Sequence, residues 1–248
     1  MNLLIDIGNT RLKWGITHAG QLIIGQALVN HRLDRADLVA AWKVLATPRC
    51  IGIACVSGNW LADLAQSVAT ELWPDVDIIR VKSKASEFGV RNAYRQAEKL
   101  GVDRWLALVA ARHHYQLPAC IVDCGTAITV DLIDAEGVHQ GGLICPGLAL
   151  MKKSLTQNTA ALQLDETQLN KADYAPGLAN FTGAAIHSGA LYAACGLIEH
   201  VLKRQVNPVQ LIMTGGDAAV VAPQLGIKSI IDTDLVLRGL SVVLENKP

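Results

Sequence analysis

The sequence lacks any uninterrupted apolar run of about 18 residues, so no membrane-crossing helix is expected. It has no surplus of either charge: 22 Lys and Arg stand against 22 Asp and Glu. That balance argues against a nucleic-acid partner, which usually selects a basic excess, and against a polybasic membrane anchor. The N-terminus carries no basic segment followed by an apolar stretch, so no secretory signal and a cytoplasmic location are expected. The six cysteines, Cys50, Cys55, Cys120, Cys124, Cys145 and Cys195, form no C-x-x-C pair. No histidine falls at zinc-finger spacing, and most of the cysteines lie in strand-like apolar runs. Buried free thiols are the expectation. Neither G-x-x-x-x-G-K-[ST] nor G-x-G-x-x-G occurs, which removes the main support for P-loop and Rossmann readings.

What is present is apolar substance. Hydrophobic residues make up 51% of the 248 and charged residues only 18%. That is enough for a large core in one domain, or in two of about 120 residues each. The opening predicts three strands, at 2–8, 11–17 and 21–29. A helix follows in "RLDRADLVAAWKVLA", with Leu33, Leu38, Ala41, Trp42 and Leu45 on one face. Then come a strand in "CIGIACVS", a helix starting near an N-cap at Asn59, a strand in "VDIIRV", a polar stretch, and a helix over 104–115. At 119 the pattern restarts. "ACIVDCG", "TAITVDLID" and "VHQGGLICPG" read as three strands. Helices are predicted at 147–157, 182–205, 216–223 and 234–245, with strands at 209–213 and 228–231. Two similar halves, 1–118 and 119–248, are expected.

The halves share a polar turn. "LLIDIGNTRLKWGI" and "CIVDCGTAITVDLI" both read strand, Asp, any residue, Gly, a nearby Thr, strand. Asp6 and Gly8 hold the places of Asp123 and Gly125. A glycine there allows a positive φ and close approach of a ligand. Successive N–H groups form an anion nest, and threonine hydroxyls add donors. The aspartates suit a cation or the waters of Mg²⁺ beside a phosphate, and Lys13 can reach a phosphate oxygen. Ordinary hairpins remain the alternative. "MTGGDA", 213–218, closes a strand and opens a helix. Its paired glycines let a flat ring or sugar approach, or simply make a turn with Asp217 at the helix start.

These turns resemble those of the acetate and sugar kinase/Hsp70/actin superfamily. Within it the chain is similar, over nearly its whole length, to type III pantothenate kinases. The motifs are "DIGNTRLKWG", "GVDRW", "DCGTAITVD", "GGLICPGLALM" and "TGGDA", in order and spacing. The resemblance implies an α/β protein of two ribonuclease H-like lobes in an actin-like ATPase fold, each a three-stranded meander followed by alternating helices and strands. It implies ATP-dependent phosphorylation of pantothenate to 4'-phosphopantothenate, the first step towards coenzyme A, by a homodimer. Asp6, Ile7, Gly8, Asn9, Thr10, Arg11, Leu12, Lys13 and Thr126 would bind ATP with its Mg²⁺. Tyr94, Gly101, Val102, Asp103, Arg104 and Thr182 would bind pantothenate, with Asp103 as catalytic base. Asp123 would hold a monovalent cation, K⁺ or NH₄⁺. Phe181 replaces an expected small polar residue, and "RQAEKL", between Tyr94 and Gly101, lacks an expected proline.

The chemistry of "GVDRW" stands beside that resemblance. A carboxylate such as Asp103 can orient an attacking hydroxyl and accept its proton. Arg104 can grip a carboxylate or the developing phosphate charge. The plain alternative is a helix start, with Asp103 as a cap and Trp105 in the core. Two other readings remain: a kinase for another small hydroxylated metabolite on the same fold, or a non-catalytic regulatory accessory protein. The tyrosine and "GVDRW" favour pantothenate, and a degenerate regulator would be expected to lose Asp6, Asp103 or Asp123. His113 and His114 read as surface residues, the five tryptophans as core and interface. His139 and His187 have no partner that the sequence names.

Overall fold

The computed structural model describes residues 1–158 and 177–246. Its contacts divide the chain into two units. The first comprises Met1–Leu117, Ile133–Gly141 and Asp234–Pro248, the second Pro118–Leu132 and Gly142–Thr233.

The first unit is built on β1 (Asn2–Ile7), β2 (Arg11–His18), β3 (Gln21–Ile24), β4 (Leu28–Val29), β5 (Cys50–Cys55) and β6 (Asp77–Arg80). The sheet runs β3-β2-β1-β5-β6, with β4 also on β2. β1 is antiparallel to β2 and parallel to β5, which places Asp6 opposite Lys13 on one side and Ala54 on the other. Around it lie α1 (Arg35–Trp42), α2 (Asn59–Leu72) and α3 (Val102–His114). A small hairpin of β7 (Ser86–Glu87) and β8 (Val90–Arg91) interrupts the polar stretch before α3. Leu3, Ile5, Ile7, Leu12, Trp14, Trp42 and Trp73 belong to one buried cluster.

A second sheet, most of it in the second unit, repeats the plan. β9 (Ala119–Cys124), β10 (Ala127–Ile133), β11 (His139–Pro146), β12 (Gln210–Thr214) and β13 (Ser229–Ile231) order as β11-β10-β9-β12-β13. In both sheets the third strand of the meander lies outermost, the first is central, and two later strands extend the other side. The helices are α4 (Leu148–Asn158), α5 (Thr182–Lys203) and α6 (Ala218–Val221). The last helix, α7 (Leu235–Glu245), belongs to the first unit. The two central strands have the same burial: every residue is buried except the next to last, Asp6 in β1 and Asp123 in β9. A strand covered on both faces reads as a continuous apolar run. The half-buried acid in each interrupts that run one residue before the strand ends.

Several boundaries differ from the sequence pattern. The strand expected over 21–29 breaks in two. α1 is shorter than its apolar face, because Asp34 and Asp37 form a reciprocal capping box that fixes its start. Gly58, not Asn59, is the N-cap of α2. All six cysteines are free, four of them buried. Trp14, Trp42, Trp73 and Trp105 are core residues, whereas Trp60 is 56% exposed. Among the described residues no helix is long and apolar enough to cross a membrane.

Candidate functional site

The first acidic turn is closed by its own backbone: Gly8 N donates to Arg11 O at 3.1 Å. Ile7 and Leu12 are fully buried, so their side chains serve the core and only their backbone can meet a ligand. Asn9, Thr10 and Arg11 are exposed, and Asp6 and Lys13 are half-buried. Two outside segments brace the turn. Val56 N donates to Ile7 O at 3.0 Å, and Asn30 N donates to Thr10 O at 3.0 Å. Asn30 adds a side-chain bond, Nδ2 to Gly8 O at 2.7 Å.

The second turn is built the same way. Gly125 N donates to Ala127 O at 3.1 Å, Asp217 N to Cys124 O at 2.9 Å, and Gly147 N to Thr126 O at 3.0 Å. "DCGTA", "CPG" and "TGGDA" thus converge on one loop of the second unit, although they are far apart in sequence. Neither Gly8 nor Gly125 adopts a positive φ, contrary to the sequence argument for them. The glycines required by geometry are others. Gly215 has φ +90°, and a Cβ on it would lie 2.4 Å from Asp123 Oδ1 and 2.5 Å from Cys124 O. A Cβ on Gly147 would lie 2.1 Å from Gly125 O. Gly216 differs: among the described residues, chain neighbours aside, no atom lies within 4 Å of its would-be Cβ, and it is exposed. Asp217 is the N-cap residue of α6 but makes no side-chain cap bond.

The acids also act on neighbouring thiols. Burial first, then the charges of Asp123 and Asp217, push the Cys124 thiol up to about 12. Burial and Asp131 do the same to Cys120, also to about 12. Both thiols remain protonated, which fits packing rather than chemistry.

"GVDRW" opens α3. Gly101 is the N-cap, and Asp103 accepts the amide of Arg104 through Oδ1 at 2.8 Å. Asp103 thus lies inside the first turn and is not the cap expected of a plain helix start, and its carboxylate stays half-buried rather than enclosed. Val102 and Trp105 are buried. Arg104 is only 6% exposed. Its Nη1 donates to Tyr94 Oη at 2.7 Å, and its guanidinium carbon lies over the Tyr94 ring, 5.5 Å from the centroid. Tyr94 in turn stacks on His139 with ring centroids 6.1 Å apart and planes 15° from parallel. Asn92 holds the segment: Oδ1 accepts Tyr94 N at 2.9 Å, and Nδ2 donates to Lys84 O and Ala97 O. Tyr94, Gly101, Val102, Asp103 and Arg104 all belong to the first unit.

Thr182 belongs to the second unit, at the exposed first position of α5. With Pro146, Met151, Phe181, Ile186 and Ala190 it lines a largely apolar cavity of about 790 Å³. His187, one turn along α5, has its pKa lowered by burial and by Lys152. His113 sits at the end of α3 with Nε2 3.0 Å from Phe88 O. Among the described residues no cluster of three or more His, Cys, Asp or Glu could hold a metal ion.

Sequence reasoning missed Asn30 and Asn92, carried Gly147 only inside a motif, and named His139 without a partner. Asn30 and His139 act across 22 and 46 residues, a separation at which local periodicity carries no signal.

Comparison with known proteins supplies the last element. A family profile described as type III pantothenate kinase matches residues 2–204. A type III pantothenate kinase from Nitrosococcus oceani is 38% identical, covering 99% of this chain and 94% of that protein. Among solved structures, a candidate Baf family transcriptional activator from Campylobacter jejuni is similar with TM-score 0.61 at 22% identity, covering 98% of each chain. A candidate 2-dehydro-3-deoxygalactonokinase from Sinorhizobium meliloti has TM-score 0.60 at 15% identity, covering 100% of this chain and 97% of that one. At these identities the structural likenesses speak for fold alone, and the fold is that of actin-like ATPases and sugar kinases.

Proposed function

The chain belongs to the type III pantothenate kinase family, and from that premise we propose how its residues divide the work. The reaction transfers the γ-phosphoryl group of ATP to the primary hydroxyl of pantothenate, giving 4'-phosphopantothenate for coenzyme A biosynthesis. Phosphoryl transfer passes through a loose transition state, so positioning and charge stabilisation matter more than covalent chemistry. Asp103 orients the attacking hydroxyl and accepts its proton. Arg104 and Tyr94 hold the pantothenate carboxylate. The turn Asp6–Lys13, through backbone amides, Thr10 and Lys13, and the second turn, through Thr126, hold the phosphates of ATP. Gly216 leaves room at the backbone for the rest of the nucleotide.

The observation that best supports this assignment is the buried Arg104. A guanidinium taken out of water needs partners, and one of its donors goes to a phenol that is itself positioned by stacking. Such an arrangement is suited to gripping a carboxylate in a fixed orientation. The decisive experiment is a coupled assay of the purified protein with ATP, Mg²⁺ and pantothenate beside common sugars. Turnover of a sugar in preference to pantothenate would overturn the substrate assignment.

Asp123 is assigned a monovalent cation. The donors around it are hard oxygens: its own carboxylate, Thr214 paired with it in register, and the carbonyls of the turn. This set suits K⁺ better than a transition metal. A bound K⁺ supplies positive charge beside the phosphates. Activity should therefore require K⁺ or NH₄⁺, and Asp123→Asn should weaken both the rate and that requirement. Full activity in Na⁺ buffer alone would contradict the assignment.

A homodimer is also proposed. The second unit exposes Leu143, Ile144, Leu150, Leu155, Phe181 and Tyr192, apolar side chains that a second copy of the chain could cover. Light scattering that gives a monomer mass at micromolar concentration would exclude it.

A further inference from the structure

We infer that His139 is a positioning residue for pantothenate, fixing Tyr94 and, through it, the guanidinium of Arg104. This rests on the reading of Tyr94 and Arg104 as the groups that hold the pantothenate carboxylate.

Tyr94 lies in no helix or strand. A ring on such a segment keeps one orientation only if its surroundings impose it. Asn92 fixes the backbone just before it. The ring itself is held by two planar groups, Arg104 and His139. His139 is 1% exposed and is the first residue of β11, so its own place is set by a sheet. It also reaches the backbone, since Ala93 N donates to His139 Nδ1 at 3.5 Å. In that contact Nδ1 is the acceptor. One imidazole thus constrains both the peptide before Tyr94 and the phenol ring.

The consequence passes to Arg104. Its Nη1 donates to Tyr94 Oη at 2.7 Å, so Tyr94 Oη acts as acceptor there and its own O–H is left to donate elsewhere. A carboxylate between the guanidinium and that O–H would meet donors from two side chains in a set geometry. If the ring tilts, both donors shift together. Displacements of about 1 Å in a positioned group can cost up to about 100-fold. ATP is held by the acidic turns and makes no use of this stack, so the effect should fall on one substrate only.

The test is steady-state kinetics of the full chain with both substrates, alongside thermal unfolding. His139→Leu keeps much of the volume and removes the plane and the Nδ1 acceptor. His139→Phe restores the plane alone. His139→Leu should raise the pantothenate KM about 10-fold, with kcat within about 3-fold and the ATP KM unchanged. His139→Phe should recover most of that loss. Wild-type pantothenate KM in His139→Leu would overturn the inference, and so would equal rises in both KM values that track a fall in Tm. If His139→Leu does not fold, His139→Phe decides: pantothenate KM within about 3-fold of wild type supports the stack, and a larger rise overturns it. Tyr94→Phe and Arg104→Lys belong in the same assay. If these leave the pantothenate KM untouched, the site reading itself fails. If they raise it and His139→Leu does not, only the role of His139 falls.

Discussion

Asp103 and Arg104 are adjacent, yet they should fail in different ways. Asp103→Asn keeps the size and the oxygen that accepts the Arg104 amide, so α3 should still start at the same place. What is lost is the charge and the basicity. The expected result is a kcat lower by about 10²–10⁴ with little change in the pantothenate KM. Arg104→Ala removes a buried donor set and leaves Tyr94 without its partner. Its pantothenate KM should rise, by the equivalent of about 1.5–3 kcal/mol for a charged hydrogen bond. Near wild-type turnover of Asp103→Asn at saturating substrate would make Asp103 a helix-start acid and nothing more. Asn30 offers a second contrast. Asn30→Ala deletes the bond to Gly8 O, costing about 1 kcal/mol and raising the ATP KM. Asn30→Asp should be worse than Asn30→Ala, because it turns a carboxylate oxygen towards that carbonyl. Equal ATP KM values for wild type, Asn30→Ala and Asn30→Asp would show that the brace has no bearing on the phosphate loop.

Between elements, each acidic turn is braced by segments distant in sequence, and here sequence pattern reached only part of the way. The two D-x-G turns were legible because strand, acid, glycine and strand recur in register. Their bracing was not, since Asn30, Gly147 and Asp217 arrive from other segments. Nor was the hairpin of β7 and β8. Its turn uses Phe88 at φ +52° followed by Gly89 at φ +71°, and a bulky residue in that region is a poor turn signal. The glycines of "TGGDA" look interchangeable in sequence but are not so in the fold. Gly215→Ala would force a Cβ into the Asp123 carboxylate and the Cys124 backbone at a φ that disfavours alanine. It should lower stability by several kcal/mol and abolish activity. Gly216→Ala meets no atom among the described residues, chain neighbours aside, so Tm should hold while the ATP KM rises if a nucleotide approaches the backbone there. Gly216→Ala with unchanged ATP KM would remove Gly216 from the nucleotide site, and a wild-type Tm for Gly215→Ala would contradict the packing of the second turn.

For the molecule as a whole, the duplication was the most legible feature, because each central strand reads as an apolar run with one acid just before its last residue. The partition of the chain was less legible: α7 and the 133–141 hairpin tip belong with the first unit, and only long-range contacts decide that. The second unit's core holds Cys120, Cys124 and Cys195, with a consequence for stability against pH. Cys120 and Cys124 are raised from 9.0 to about 12 in the folded protein. In the unfolded chain they ionise near the ordinary thiol value. Between those limits the folded state holds more protons than the unfolded state, so stability falls as pH rises. The contribution is fully present below about pH 9 and is lost towards pH 12, at up to about 1.4 kcal/mol per pH unit for each thiol. Denaturant unfolding from pH 8 to 10.5 should therefore show a steepening alkaline loss. Cys124→Ala will lower the overall level by leaving a small cavity, so the level is not the readout. The slope is: it should flatten in Cys124→Ala and flatten further in the double variant with Cys120→Ala. Iodoacetamide at pH 8 should label neither thiol in the folded protein and both after unfolding. Parallel pH slopes for wild type and the double variant would show that ionisation of these thiols does not limit stability in alkali.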